Sequence, residues 1–143
     1  MTLEQQVVSL ELAKKLKELG VKQESLFWWY ERKNQRNEGT NWQVSNNADH
    51  RIWPEDFLTV ASAFTVAELG EMLHEPLRSS DDMMNMYYPN CFITYFKEPD
   101  KHWVIGDKYP LAKAQWIDYG TTEADARAKM LIYLVENKLI QLQ

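Results

Sequence analysis

The sequence predicts an α+β protein, an antiparallel sheet of about five strands carrying three helices in the order α-β-β-α-β-β-β-α. Three observations lead there. The stretch "FTVAEL" holds a complete helix start, short β-rich runs are separated by turn chemistry, and the C-terminal segment repeats apolar residues at helical spacing. At 143 residues the chain is expected to form one domain. A domain of that size buries roughly 70% of its unfolded surface, so it needs no metal or disulfide staple.

The first helix is predicted over residues 10–19. Ser9 stands at its N-cap and Glu11 in its first turn, where a negative charge suits the helix dipole. Leu12, Ala13, Leu16 and Leu19 form one apolar face, and Gly20 supplies the left-handed residue that ends the helix. Two strands follow, at residues 25–33 and 40–44. The turn sequence "NQRNEG" joins them into a hairpin, and "SNNADHR" reads as an exposed loop.

The second helix carries the sharpest local signature. Thr65 at N-cap and Glu68 at N3 make a capping box, and Phe64 and Leu69 make a hydrophobic staple. Leu69, Met72 and Leu73 give its apolar face, and Pro76 stops it. Gly70 inside it costs ~1 kcal/mol relative to alanine. Residues 78–90, "RSSDDMMNMYYPN", show no period and read as a loop. Residues 92–96 and 102–105 are β-rich around the turn "EPDK", and residues 113–120 complete a three-stranded meander. Thr122 caps the last helix. Glu123–Arg127 and Asp125–Lys129 are favourably ordered i,i+4 pairs, and Ala124, Ala128, Leu131 and Val135, widened by Ile132 and Leu134, form a stripe that should lie on the sheet.

Composition narrows the function classes. The net charge is −5, and the longest basic feature, Lys14, Lys15 and Lys17, falls on the solvated side of the first helix, so binding to a nucleic-acid backbone is not expected. Cys91 is the one cysteine and excludes an internal disulfide. The N-terminal residues lack a secretory pattern and no 18-residue apolar run occurs, so the expected location is the cytoplasm, with no membrane span. His50, His74 and His102 share no metal-ligand spacing. Cys91 opens an apolar strand, where a small buried hydrophobe is the ordinary role. Asp81, Asp82, Glu98 and Asp100 read as solvated loop charges, and the glycines at 20, 39, 70, 106 and 120 form no phosphate loop. No catalytic constellation, metal site or cofactor is therefore predicted.

The remaining feature is aromatic. The chain has six Trp, seven Tyr and five Phe, and four of these rings are consecutive in "FWWY". Side chains alternate across a strand, so Leu26, Trp28 and Tyr30 point one way and Phe27 and Trp29 the other. One set should pack beneath the first and last helices. The other should lie under the loop with Met83, Met84, Met86, Tyr87 and Tyr88, or meet a partner.

Three stretches taken together, "SLELAKKLKELGVKQESLFWWY", "TVAELGEML" and "ADARAKMLIYLVENKLI", resemble a group of small bacterial proteins carried by prophages and other mobile elements. The resemblance covers most of the chain and thins across residues 35–54 and 75–90. It implies a phage-like context and no catalytic residues. The resulting expectation is a non-enzymatic protein-interaction module, either a homodimer or the binder of another protein, with Phe27, Trp28, Trp29, Tyr30, Met83, Met84, Met86, Tyr87 and Tyr88 as contact residues. The alternatives are single-strand nucleic-acid binding on sheet aromatics flanked by Arg32, Lys33 and Arg36, or an acidic decoy of a host nucleic-acid-binding protein.

Overall fold

The computed structural model describes residues 2–32, 42–46, 49–73, 77–78, 84–87, 91–96, 102–107, 115–140 and 142. The α+β class holds. Helices α1 (Leu3–Gln6) and α2 (Leu10–Glu18) precede strands β1 (Trp28–Arg32) and β2 (Trp42–Ser45). Helix α3 (Asp49–Ile52) and a 3-10 turn (Pro54–Asp56) lead into β3 (Phe57–Ser62) and α4 (Val66–Leu73). Strands β4 (Leu77–Arg78), β5 (Met84–Tyr87), β6 (Cys91–Phe96), β7 (His102–Asp107) and β8 (Gln115–Gly120) follow, and α5 (Glu123–Glu136) closes the order.

The single sheet of the sequence reading is two sheets. A three-stranded sheet has the order β2-β1-β3, and a five-stranded sheet runs β4-β5-β6-β7-β8. The predicted hairpin is present, with Trp28 opposite Ser45 and Glu31 opposite Trp42. Its third strand, β3, has no counterpart in the prediction and pairs with the other side of β1, Trp28 opposite Ser62 and Tyr30 opposite Val60. The predicted loop at 78–90 contains β5, paired with β6 from Met84–Thr94 to Tyr87–Cys91. The meander of β6, β7 and β8 stands as predicted, apart from an irregularity between Ile105 and Gly106. The expected exposed loop around residue 50 is helical at α3.

Local chemistry explains the helix boundaries. The α4 capping box is complete, with the Glu68 N–H reaching Thr65 Oγ1 at 3.3 Å and the Thr65 N–H reaching Glu68 Oε2 at 2.7 Å. Glu68 Oε1 also accepts the Leu26 N–H at 2.8 Å, which ties the approach to β1 onto α4. Thr122 caps α5 by accepting the Asp125 N–H at 3.1 Å. Arg127 donates through Nε and Nη2 to Glu123, the predicted i,i+4 pair. The second predicted pair is replaced by tertiary partners. Asp125 accepts the Ser9 N–H at 2.7 Å, fastening the start of α2 to α5, and Lys129 turns to Asp118 at 3.3 Å.

Both sheets contribute to one contiguous core. Ala61 from β3, Ile93 from β6 and Ile105 from β7 are buried with Ala13 and Leu16 of α2, Leu69 and Leu73 of α4, and Ala124, Ala128, Met130, Leu131 and Leu134 of α5. The apolar faces read from the helical spacing largely pack here, but Leu19 stays outside the core and α5 also buries Ala126 and Met130, which its predicted stripe left out. Gly120 ends β8 where a Cβ would lie 2.8 Å from the Ala126 backbone nitrogen, so glycine lets α5 start directly against the strand.

Candidate functional site

The aromatic row at the start of β1 divides as the pleat requires. Trp28 and Tyr30 are each 6% exposed. The chain from α3 into β3 lies against them. The His50 ring lies 4.5 Å from Trp28, and Phe57 meets Tyr30 edge-on at 5.6 Å. Arg51 stands over the Trp28 ring at 4.9 Å. Polar tips are satisfied at the margin, where Tyr30 Oη approaches Gln43 Oε1 at 3.2 Å and Ser45 Oγ at 3.4 Å. This is a second apolar cluster, on the face of the three-stranded sheet opposite the main core.

The other face of β1 turns inward. Trp29 packs at the edge of the main core and donates its indole N–H to the Val8 carbonyl at 2.8 Å. That bond joins the sheet to the segment between α1 and α2. Phe27, half-buried, lines a cleft of about 570 Å³. The starts of two helices build the cleft, with Thr65, Val66 and Ala67 from α4 and Thr121, Thr122, Glu123 and Ala124 around the start of α5; Trp103 of β7 and Gln5 and Gln6 of α1 complete it. Two aromatic rings and three small apolar side chains make its walls, and threonines and glutamines supply hydrogen-bonding groups. Among its described lining residues the one charged side chain is Glu123, held by Arg127 at 2.9 Å. The volume lies within the range of small-ligand and anchor pockets, about 300–1,000 Å³.

The other predicted contact residues are dispersed. Met84, Met86 and Tyr87 lie on β5, inside the five-stranded sheet, while Met83 and Tyr88 fall outside the described residues. Several exposed apolar side chains are not among the predicted contact residues: Leu26, Ile52, Trp53 and Tyr119, with Trp53 55% exposed. "RIWPED" carried the signal for two of them, an apolar pair beside a proline in a polar stretch.

His50 is within the aromatic cluster, His102 opens β7, and His74 lies outside the described residues. Cys91 begins β6 opposite Tyr87. The acidic positions 81, 82, 98 and 100 also lie outside the described residues. Among the described residues no group of three or more His, Cys, Asp or Glu is placed to hold a metal ion, and no helix is long and apolar enough to cross a membrane. Compared with known proteins, the chain matches no family model, no curated protein and no solved structure.

Proposed function

We propose that the chain is a non-enzymatic protein-interaction module, in the phage or mobile-element context its motifs resemble, and that the Phe27–Trp103 cleft receives an apolar side chain of a partner protein. The cleft itself carries the reading. It offers an apolar floor with hydrogen-bonding groups around it, the arrangement in which one buried anchor contributes most of an interface's affinity. It is also held firmly, because α4 and α5 are each fixed by a capping residue at the cleft. A base-stacking role for β1 has less support. Of the rings it would use, Trp28 and Tyr30 are covered, Trp29 packs against the main core with its indole N–H on the Val8 carbonyl, and the cation over Trp28 is the chain's own Arg51.

The test is site-specific crosslinking in cells of the native host. Benzoylphenylalanine in place of Gln6, exposed at the cleft rim, is expected to give one discrete adduct. Ala67→Trp, a substitution at an exposed cleft position, should remove that adduct without lowering the melting temperature. An adduct of twice the chain mass identifies a homodimer, and another mass identifies a different protein. Adducts that persist unchanged in Ala67→Trp, or that form equally from a crosslinker at Glu11 on α2, defeat the proposal.

A further inference from the structure

One outer edge of each sheet, β3 in the first and β8 in the second, is guarded by the same device. In an antiparallel ladder alternate residues of an edge strand point their N–H and C=O away from the sheet, and those groups can template another strand. On β3 the outward groups are those of Val60 and Ser62. Lys17 of α2 donates to the Val60 carbonyl at 2.6 Å, and the Ser62 N–H donates to Gln23 Oε1 at 2.8 Å. On β8 the residue is Tyr119. Its N–H donates to Asp118 Oδ1 at 2.8 Å, and its carbonyl accepts from Lys129 Nζ at 2.7 Å. The same ammonium pairs with Asp118 at 3.3 Å and lies 5.4 Å from the Tyr119 ring centroid. In each case a lysine on a helix that packs against the core reaches across to an edge carbonyl.

We infer that Lys129 holds shut an edge of the five-stranded sheet whose natural complement is β8 of a second copy of this chain. The occupant follows from symmetry. Two copies of one edge strand, run antiparallel about a two-fold axis, present identical donors and acceptors to each other. The six residues Gln115–Gly120 are long enough for such a ladder, and Tyr119 is 60% exposed at its end. The β3 edge is the poorer candidate, since two separate elements, α2 and the segment carrying Gln23, already occupy it. In the intact protein Lys129 meets the carbonyl, the carboxylate and the ring together, so an incoming strand must displace an ion pair as well as a hydrogen bond. This inference concerns an edge apart from the proposed cleft chemistry and stands or falls separately.

The experiment compares wild type, Lys129→Met and Lys129→Arg by sedimentation velocity over a concentration series, with amide hydrogen exchange at Tyr119 as a local readout. Lys129→Met keeps the apolar stem and removes the ammonium. It is expected to self-associate at least about tenfold more tightly than wild type, with the Tyr119 amide newly protected, while Lys129→Arg behaves as wild type. Adding Tyr119→Pro should reverse the association while adding Tyr119→Ala, which removes the ring and keeps the N–H, should not, because the N–H that proline removes points away from β7. Should Lys129→Met fail to fold, Asp118→Ala alters an exposed side chain, uncovers the Tyr119 N–H and carries the same expectation. Wild-type sedimentation of the folded variant, or association that survives Tyr119→Pro, overturns the inference.

Discussion

Gly20 and Lys138 occupy the same place in two helix ends, and the comparison isolates a single backbone cost. After α2 the Gly20 N–H reaches the Lys17 carbonyl and the Val21 N–H reaches Leu16. After α5 the Lys138 N–H reaches Val135 and the Leu139 N–H reaches Leu134. Both are Schellman motifs, and both need a left-handed residue, with φ +91° at Gly20 and +58° at Lys138. Glycine takes that conformation without a Cβ penalty, whereas lysine is strained by about 1 kcal/mol. Lys138→Gly should therefore raise the thermal midpoint by about 1 kcal/mol equivalent, less the entropy glycine adds to the unfolded chain. Gly20→Ala should lower it by a similar amount. A methyl at position 20 meets nothing within 4 Å, so that loss measures backbone strain alone. Paired thermal melts check both signs. This level was well written in the sequence, because Gly20, Thr65 with Glu68, Thr122 and the Glu123–Arg127 pair all act within five residues. Asp125–Lys129 misled because two distant groups, the Ser9 N–H and Asp118, offered better partners.

At the level of elements, α2, α4, α5, the β1–β2 hairpin and the β6–β8 meander were legible, and α1, α3, β3, β4 and β5 were not. A strand announces itself by alternation when one face is wet. Beneath Phe57 and above Ala61 there is protein on both sides, the aromatic cluster on one and the main core on the other. "FLTVAS" consequently reads as a plain apolar run with no period. The same gap hid the cover over Trp28, since α3 is a single turn, three of whose four residues are polar. The candidate cleft was half visible. Phe27 stood out in the row, but Thr65, Trp103 and Thr121 come together only through the packing of α4, β7 and α5. Separate clusters on the two faces of one small sheet predict separable stabilities. Phe57→Ala should cost about 3 kcal/mol, and its faster amide exchange should be confined to α3, β1, β2 and β3. Equal acceleration in β6 and β7 would show that the clusters are not energetically distinct.

For the whole molecule the deciding element is α5. It packs against α1, α2 and α4 and against β6, β7 and β8, and its buried residues Met130, Leu131 and Leu134 complete the core to which β3 contributes Ala61. Leu131→Ala should cost about 2–5 kcal/mol and weaken amide protection in both sheets together, in contrast to the local effect at Phe57. Hydrogen exchange on the two variants separates the cases, and protection lost from one sheet alone would mean that α5 does not couple them. The position of α5 has a further consequence for biogenesis. All eight described strands precede it in the chain, so during synthesis every strand emerges from the ribosome before the helix that covers the core does. For that interval both sheets display apolar faces, and the edges at β3 and β8 are guarded unequally. Lys17 and Gln23 come before β3 and can cover it at once, while the guard of β8, Lys129, arrives only with α5 itself. Until α5 docks, β8 is an edge without its guard, so slow docking of α5 is expected to leave it open to other chains.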